Sequence, residues 1–118
     1  MTEKELENKI LAYLIELGIF CWKNQSTGIY DANAGAFRKK SAYQINGVSD
    51  VLAILPDGRF LAIEVKNGKK GVVSDEQEFF LAKINRFGGI GFVARYFEDV
   101  SGVINADFLT KSHIKEFK

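Results

Sequence analysis

The chain has 118 residues, 47% hydrophobic and 26% charged, an ordinary globular composition that predicts a single domain over 1–118 with a core of its own. Its formal net charge of +1 neither demands nor excludes nucleic acid, because a basic groove can be balanced by acids elsewhere. One cysteine, Cys21, and one histidine, His113, exclude an internal disulfide and argue against structural zinc, while the lack of any apolar run of roughly 18 residues and the charged start point to a reducing cytoplasm and no membrane.

Thr2 to Leu17 is predicted to be an amphipathic helix, with Leu6, Ile10, Leu14 and Leu17 on one stripe, Thr2 as its cap and Gly18 as its stop. Ile19 to Lys23 is a short apolar run expected to form a strand. From Asn24 to Gly47 the chain turns polar, with a weak hairpin, Gly28–Asp31 against Ala36–Lys39, around Asn33-Ala34-Gly35. Val51–Leu55 and Arg59–Lys66 are rich in β-formers and flank a Pro56-Asp57-Gly58 turn. Ser74-Asp75-Glu76-Gln77 matches a capping box that launches a helix through Phe80, Leu81, Ile84 and Phe87. Gly88-Gly89 ends that helix, Ile90–Arg95 is a further strand, and a short helix is expected within Glu98–Leu109. Helices alternating with strands in this order predict a mixed-sheet α/β domain.

The central hairpin carries the chemistry. A three-residue loop with Gly58 left-handed pairs Leu55 with Arg59, and counting outward in that register sets Asp50 opposite Glu64. Side chains alternate along a strand, so Lys66 shares the face of Glu64 while Ile63 and Val65 point away. Directly opposed residues have Cβ atoms about 5 Å apart, and like charges there are destabilising. A divalent cation is the simplest reason to keep two carboxylates so placed; the plainer reading is an ordinary salt bridge on a solvated sheet face. A two-residue loop would shift the register and break the cluster.

A third acid belongs to the first helix. On a helical wheel Glu3 lies within the apolar stripe and is expected to face the sheet, with Glu7 at the stripe's edge. The plainer reading of both is favourable placement near a helix N-terminus. Carboxylates and a nearby carbonyl are the hard oxygens Mg2+ or Mn2+ prefers. Such a cation would polarise a phosphodiester, and Lys66 would hold the attacking water and stabilise developing charge.

Gly47-Val48-Ser49-Asp50, then Gly58 to Lys66 with its Glu64-Val65-Lys66, then Ser74 and Gln77, resemble the PD-(D/E)XK nucleases. More narrowly they resemble the stand-alone VRR-NUC domains often found in phages. The resemblance covers nearly the whole chain, including Glu3 to Leu6 and Trp22-Lys23-Asn24. Ser49 departs from the motif's nominal proline at a position that carries no chemistry. The resemblance implies a restriction-endonuclease-like core, a mixed β-sheet flanked by helices. It also implies that Asp50, Glu64 and the Val65 carbonyl bind Mg2+ (or Mn2+), and that Lys66 is catalytic. Glu3 would complete the site, with Glu7 as the alternative that comparison with archaeal Holliday-junction resolvases favours. Gln77 has a role there in orienting the metal site or its water; its plainer role is as partner of Ser74 in the capping box.

Arg38, Lys39, Lys40, Lys69 and Lys70, with Lys23, fall on predicted loops beside this face and would contact phosphates without reading sequence; each can also be a solvated surface residue. The expected activity is a metal-dependent, structure-selective DNA endonuclease acting on Holliday junctions or other branched DNA, as a homodimer in the cytoplasm of a bacterial host if phage-encoded. The alternative is a non-catalytic DNA-binding or phage assembly module that keeps the fold.

Overall fold

A computed structural model describes residues 1–24, 30–31, 36–37 and 42–106. Helix α1 (Glu3–Glu16) leads into β1 (Phe20–Lys23), followed by β2 (Tyr30–Asp31) and β3 (Ala36–Phe37), which pair antiparallel as a small sheet of their own. The main sheet has β1, β4 (Val51–Ile54), β5 (Phe60–Val65) and β6 (Ile90–Ala94) in the order β1-β4-β5-β6. The first three strands run antiparallel to their neighbours and β6 runs parallel to β5, with α2 (Asp75–Arg86) as the crossover. Helix α3 (Phe97–Ile104) closes the described fold. The predicted mixed-sheet α/β domain is therefore observed.

The local devices are those written in the sequence. Thr2 caps α1 and Ser74 caps α2, each in a reciprocal capping box, with Glu5 and Gln77 as the returning side chains. Leu55 N–H donates to the Arg59 carbonyl at 2.9 Å and Gly58 N–H to the Leu55 carbonyl at 2.8 Å, closing the three-residue loop with Gly58 at φ +94°. The register that follows pairs Val51 with Ile63 and Ile54 with Phe60, as the loop count requires.

Alternation then sorts the sheet into two faces. Val51, Ala53, Leu61, Ile63, Val65 and Ala94 join Leu6, Ile10 and Leu14 of α1 and Val100 and Ile104 of α3 in the larger core. Leu52 and Ala62, on the opposite face, pack with Phe80 and Leu81 of α2. Full burial of each large aliphatic side chain contributes about 1.5–3 kcal/mol, so the α1 side holds most of the apolar stabilisation. The α2 side is thinner, and it carries Glu64.

Candidate metal and phosphodiester site

Asp50 directly precedes β4 and Glu64 lies near the end of β5. One step beyond the Val51–Ile63 pair, Asp50 falls opposite Glu64, and its Oδ2 accepts a hydrogen bond from the Val65 backbone N–H at 2.8 Å. Lys66 continues the same face, its Nζ 3.6 Å from Glu64 Oε2. The end of the ladder thus gathers two carboxylates and an ammonium, with Glu64 only 2% exposed.

Gln77 joins this group from α2. Its Oε1 accepts from the Ser74 backbone N–H at 2.9 Å, which directs its Nε2 to Glu64 Oε2 at 3.0 Å. One end of the amide completes the capping box and the other reaches the Glu64 carboxyl. The capping box that starts α2 is therefore also what fixes Glu64.

Two glycines bring the backbone close enough for this. A Cβ on Gly47, at φ +78°, would meet the backbone of Glu76 and Gln77 at 2.4 to 2.7 Å, so the segment leading to Asp50 lies directly on the first turn of α2. A Cβ on Gly71 would meet the Lys66 stem at 2.7 and 2.8 Å, so the 67–71 loop presses on the lysine from outside. Neither role is readable from the sequence, where both glycines pass as turn residues. The signal available was their spacing, three residues before Asp50 and five after Lys66.

The electrostatics are those of two carboxyl groups held close together. Burial first, and then the carboxyl of Asp50 beside it, push the Glu64 carboxyl up to about 8, which Lys66 offsets only in part. Glu64 Oε1 is buried with no hydrogen-bond partner. A carboxylate pair with an unsatisfied oxygen is a donor set suited to a hard divalent ion, and the Val65 carbonyl adjoins it in sequence.

The expected third acid is not brought to that pair. Among the described residues no three His, Cys, Asp or Glu side chains form a metal-sized group. Glu3 is exposed, contrary to its wheel position, since a wheel gives the direction of a side chain and not what packs over it. Glu7, one turn further on, is buried and pairs with Lys23 Nζ at 3.0 Å from its Oε1. That contact has the distance of an ion pair but not hydrogen-bond angles. Lys23 lies opposite Val51, on the α1 face, so the pair sits across the sheet from Glu64. Lys23 thus ends the strand expected over Ile19–Lys23 and is not placed on a loop beside Glu64. Lys69 and Lys70 are exposed on the loop after Lys66. Arg38, Lys39 and Lys40 lie outside the described residues.

No protein-family model and no curated protein sequence matches the chain. A solved structure titled "VRR_NUC domain" superposes with a TM-score of 0.63 at 20% identity, over 92% of this chain and 100% of the other. The chain therefore has the fold of that domain, and the predicted restriction-endonuclease-like core, a mixed sheet flanked by helices, is the fold observed.

Proposed function

We propose that the chain is a metal-dependent nuclease that hydrolyses phosphodiester bonds in DNA, with Holliday junctions or other branched DNA as its substrates. The observation that carries this reading is the pairing of half-buried Asp50 with buried Glu64, with an unpartnered Glu64 oxygen and Lys66 at its side. The likeness of fold to a VRR_NUC domain structure supports the same chemistry. Asp50, Glu64 and the Val65 carbonyl would hold Mg2+ or Mn2+, which supplies charge neutralisation at the scissile phosphate. Neither Glu3 nor Glu7 is assigned to that ion.

The chain's own groups do the rest. Gln77 Nε2 holds the Glu64 carboxylate in place, as hydrogen bonds to ligands commonly do. The Lys66 ammonium orients the attacking water and stabilises the charge that gathers on the phosphoryl oxygens. Water adds to phosphorus as one P–O bond breaks, the leaving oxygen takes up a proton and the water loses one. Lys69 and Lys70, exposed beyond Lys66, contact backbone phosphates. One cluster cuts one strand, so symmetric cleavage of a junction calls for a homodimer.

The test uses labelled four-way junction, flap, linear duplex and RNA with the purified protein, with and without Mg2+ or Mn2+, beside Asp50→Ala and Lys66→Ala. Cleavage that requires the cation and is lost in both variants is expected. No cleavage of any substrate, or cleavage that both variants retain, removes the nuclease reading.

A further inference from the structure

We propose that the open edge of β1, with the aromatic face beside it, seats a second copy of this chain, the two β1 strands pairing antiparallel about a twofold axis. The homodimer expected of the nuclease thereby gains a surface, while the pairing itself rests on the edge and not on catalysis.

The two edges of the main sheet differ. At β6, Asn85 closes the edge at Gly91: its Nδ2 donates to the Gly91 carbonyl at 2.8 Å and its Oδ1 accepts from the Gly91 N–H at 2.9 Å. At β1 nothing comparable is found among the described residues. Asn24 N–H donates to the Asp50 carbonyl at 2.8 Å, and the antiparallel alternation then turns the N–H and C=O of Cys21 and Lys23 outward. An unpaired edge of this kind is a template for another strand unless it is protected.

The face next to that edge is exposed as well, among the described residues. Helix α2 packs on β5 and β6 and reaches Leu52 of β4, leaving Phe20, Trp22 and Ile54 uncovered by any described helix. Phe20 is 67% exposed, Ile54 40% and Trp22 36%. Phe20 packs on Trp22 with ring centroids 5.3 Å apart, and Trp22 meets the edge of Phe60 at 6.3 Å. Together Phe20, Trp22 and Ile54 present roughly 300 Å² of apolar surface. Over two copies that is roughly 600 Å² of apolar surface, less than a standard interface buries, so the edge hydrogen bonds must add to it and a weak, concentration-dependent dimer is expected. The patch itself holds no basic side chain, which favours protein over nucleic acid as its occupant.

The outward groups select a register. Setting Cys21 opposite Lys23 of the partner subunit uses all the outward groups of both residues twice over. Setting Lys23 opposite Lys23 of the partner subunit would face like charges. The favoured register puts Trp22 against Trp22 of the partner subunit on the same sheet face, with Cβ atoms about 5 Å apart. A twofold axis through that pair stands perpendicular to the sheet, so both Asp50–Glu64 clusters lie on one face. Three strand spacings across and four residues along separate the two copies of Asp50 by about 20 Å. The second copy thus supplies a second cluster facing the same way as the first.

Sedimentation velocity of the full chain, without nucleic acid or divalent ion, should show a concentration-dependent monomer–dimer equilibrium. Trp22 is the single tryptophan, so its emission should move to shorter wavelength as the dimer forms. Trp22→Asp should be monomeric. In a Cys21→Ser background, Trp22→Cys should give a covalent dimer under mild oxidation, whereas Phe20→Cys, whose copies lie four residues apart along the strands, should not. A monomer from micromolar to millimolar concentration overturns the proposal. So does a dimer that survives Trp22→Asp, a cross-link at 20 and not at 22, or Trp22 emission that responds only to added DNA. A chain that dimerises this way but cleaves nothing would sink the nuclease reading alone.

Discussion

Glu64 titrates far from where a carboxylate ordinarily does, and the sign of that shift sets a stability profile. Between its ordinary 4.5 and about 8, the unfolded chain has released the Glu64 proton and the folded chain keeps it. The metal-free protein is therefore expected to lose stability as pH rises through this window, by at most about 1.4 kcal/mol per unit. Urea unfolding at pH 5 and pH 8 checks this: the midpoint should fall with pH, Mg2+ or Mn2+ should restore it most at pH 8, and Glu64→Gln should flatten the profile. At the same scale, Gln77→Glu and Gln77→Leu separate the two ends of one amide. Glutamate can still accept from Ser74 but cannot donate to Glu64, so it should keep the cap while lowering cleavage. Leucine should lose both, at about 1 kcal/mol in thermal stability and about 10–100-fold in activity or metal affinity.

Among the elements, the close approaches are the sensitive points. Gly47→Ala places a Cβ against the backbone of α2 at a left-handed position, so α2 must shift. A loss of several degrees in melting temperature is expected, with a lower Mg2+ affinity because Gln77 moves with the helix. Gly71→Ala meets Lys66 at its Cβ as well as along its stem, so the 67–71 loop must move away from the lysine. It should cleave more slowly through the displaced Lys66 while Gln77 and the start of α2 stay in place, and kinetics at saturating Mg2+ would show the difference. These contrasts mark where the sequence could be read and where it could not. Period-two runs and the Pro56-Asp57-Gly58 turn dictate the Asp50–Glu64 register by counting alone, and the capping boxes are local patterns. Contacts between segments distant in the chain, such as Gly47 on α2 and Lys23 with Glu7, depend on how the layers settle. Glu3 shows the limit best: it falls within the apolar stripe on a helical wheel and is nonetheless exposed.

At the scale of the whole molecule, the sheet divides its labour by face and by end. The α1 face holds the larger core, and the α2 face holds the Asp50–Glu64 pair at one end, with a cavity of about 830 Å³ beside Phe60, Phe79 and Ile84 at the turn end. No described helix is long and apolar enough to cross a membrane. Lys69 and Lys70 extend the Lys66 end outward, so replacing both by alanine should weaken junction binding evenly across sequences. The slope of affinity against salt should fall by about two charges, which binding titrations at several salt concentrations would measure.

The amide of Gln77, bonded to the start of α2 on one side and to Glu64 on the other, has a dynamic consequence. First turns of helices open readily, and here such an opening releases the carboxylate as well. Fraying of α2 and loss of readiness at the site are then one event, observable as hydrogen exchange at the Ser74 amide. An ion held by Glu64 should slow that exchange from across the side chain, so a helix terminus reports whether the site is loaded.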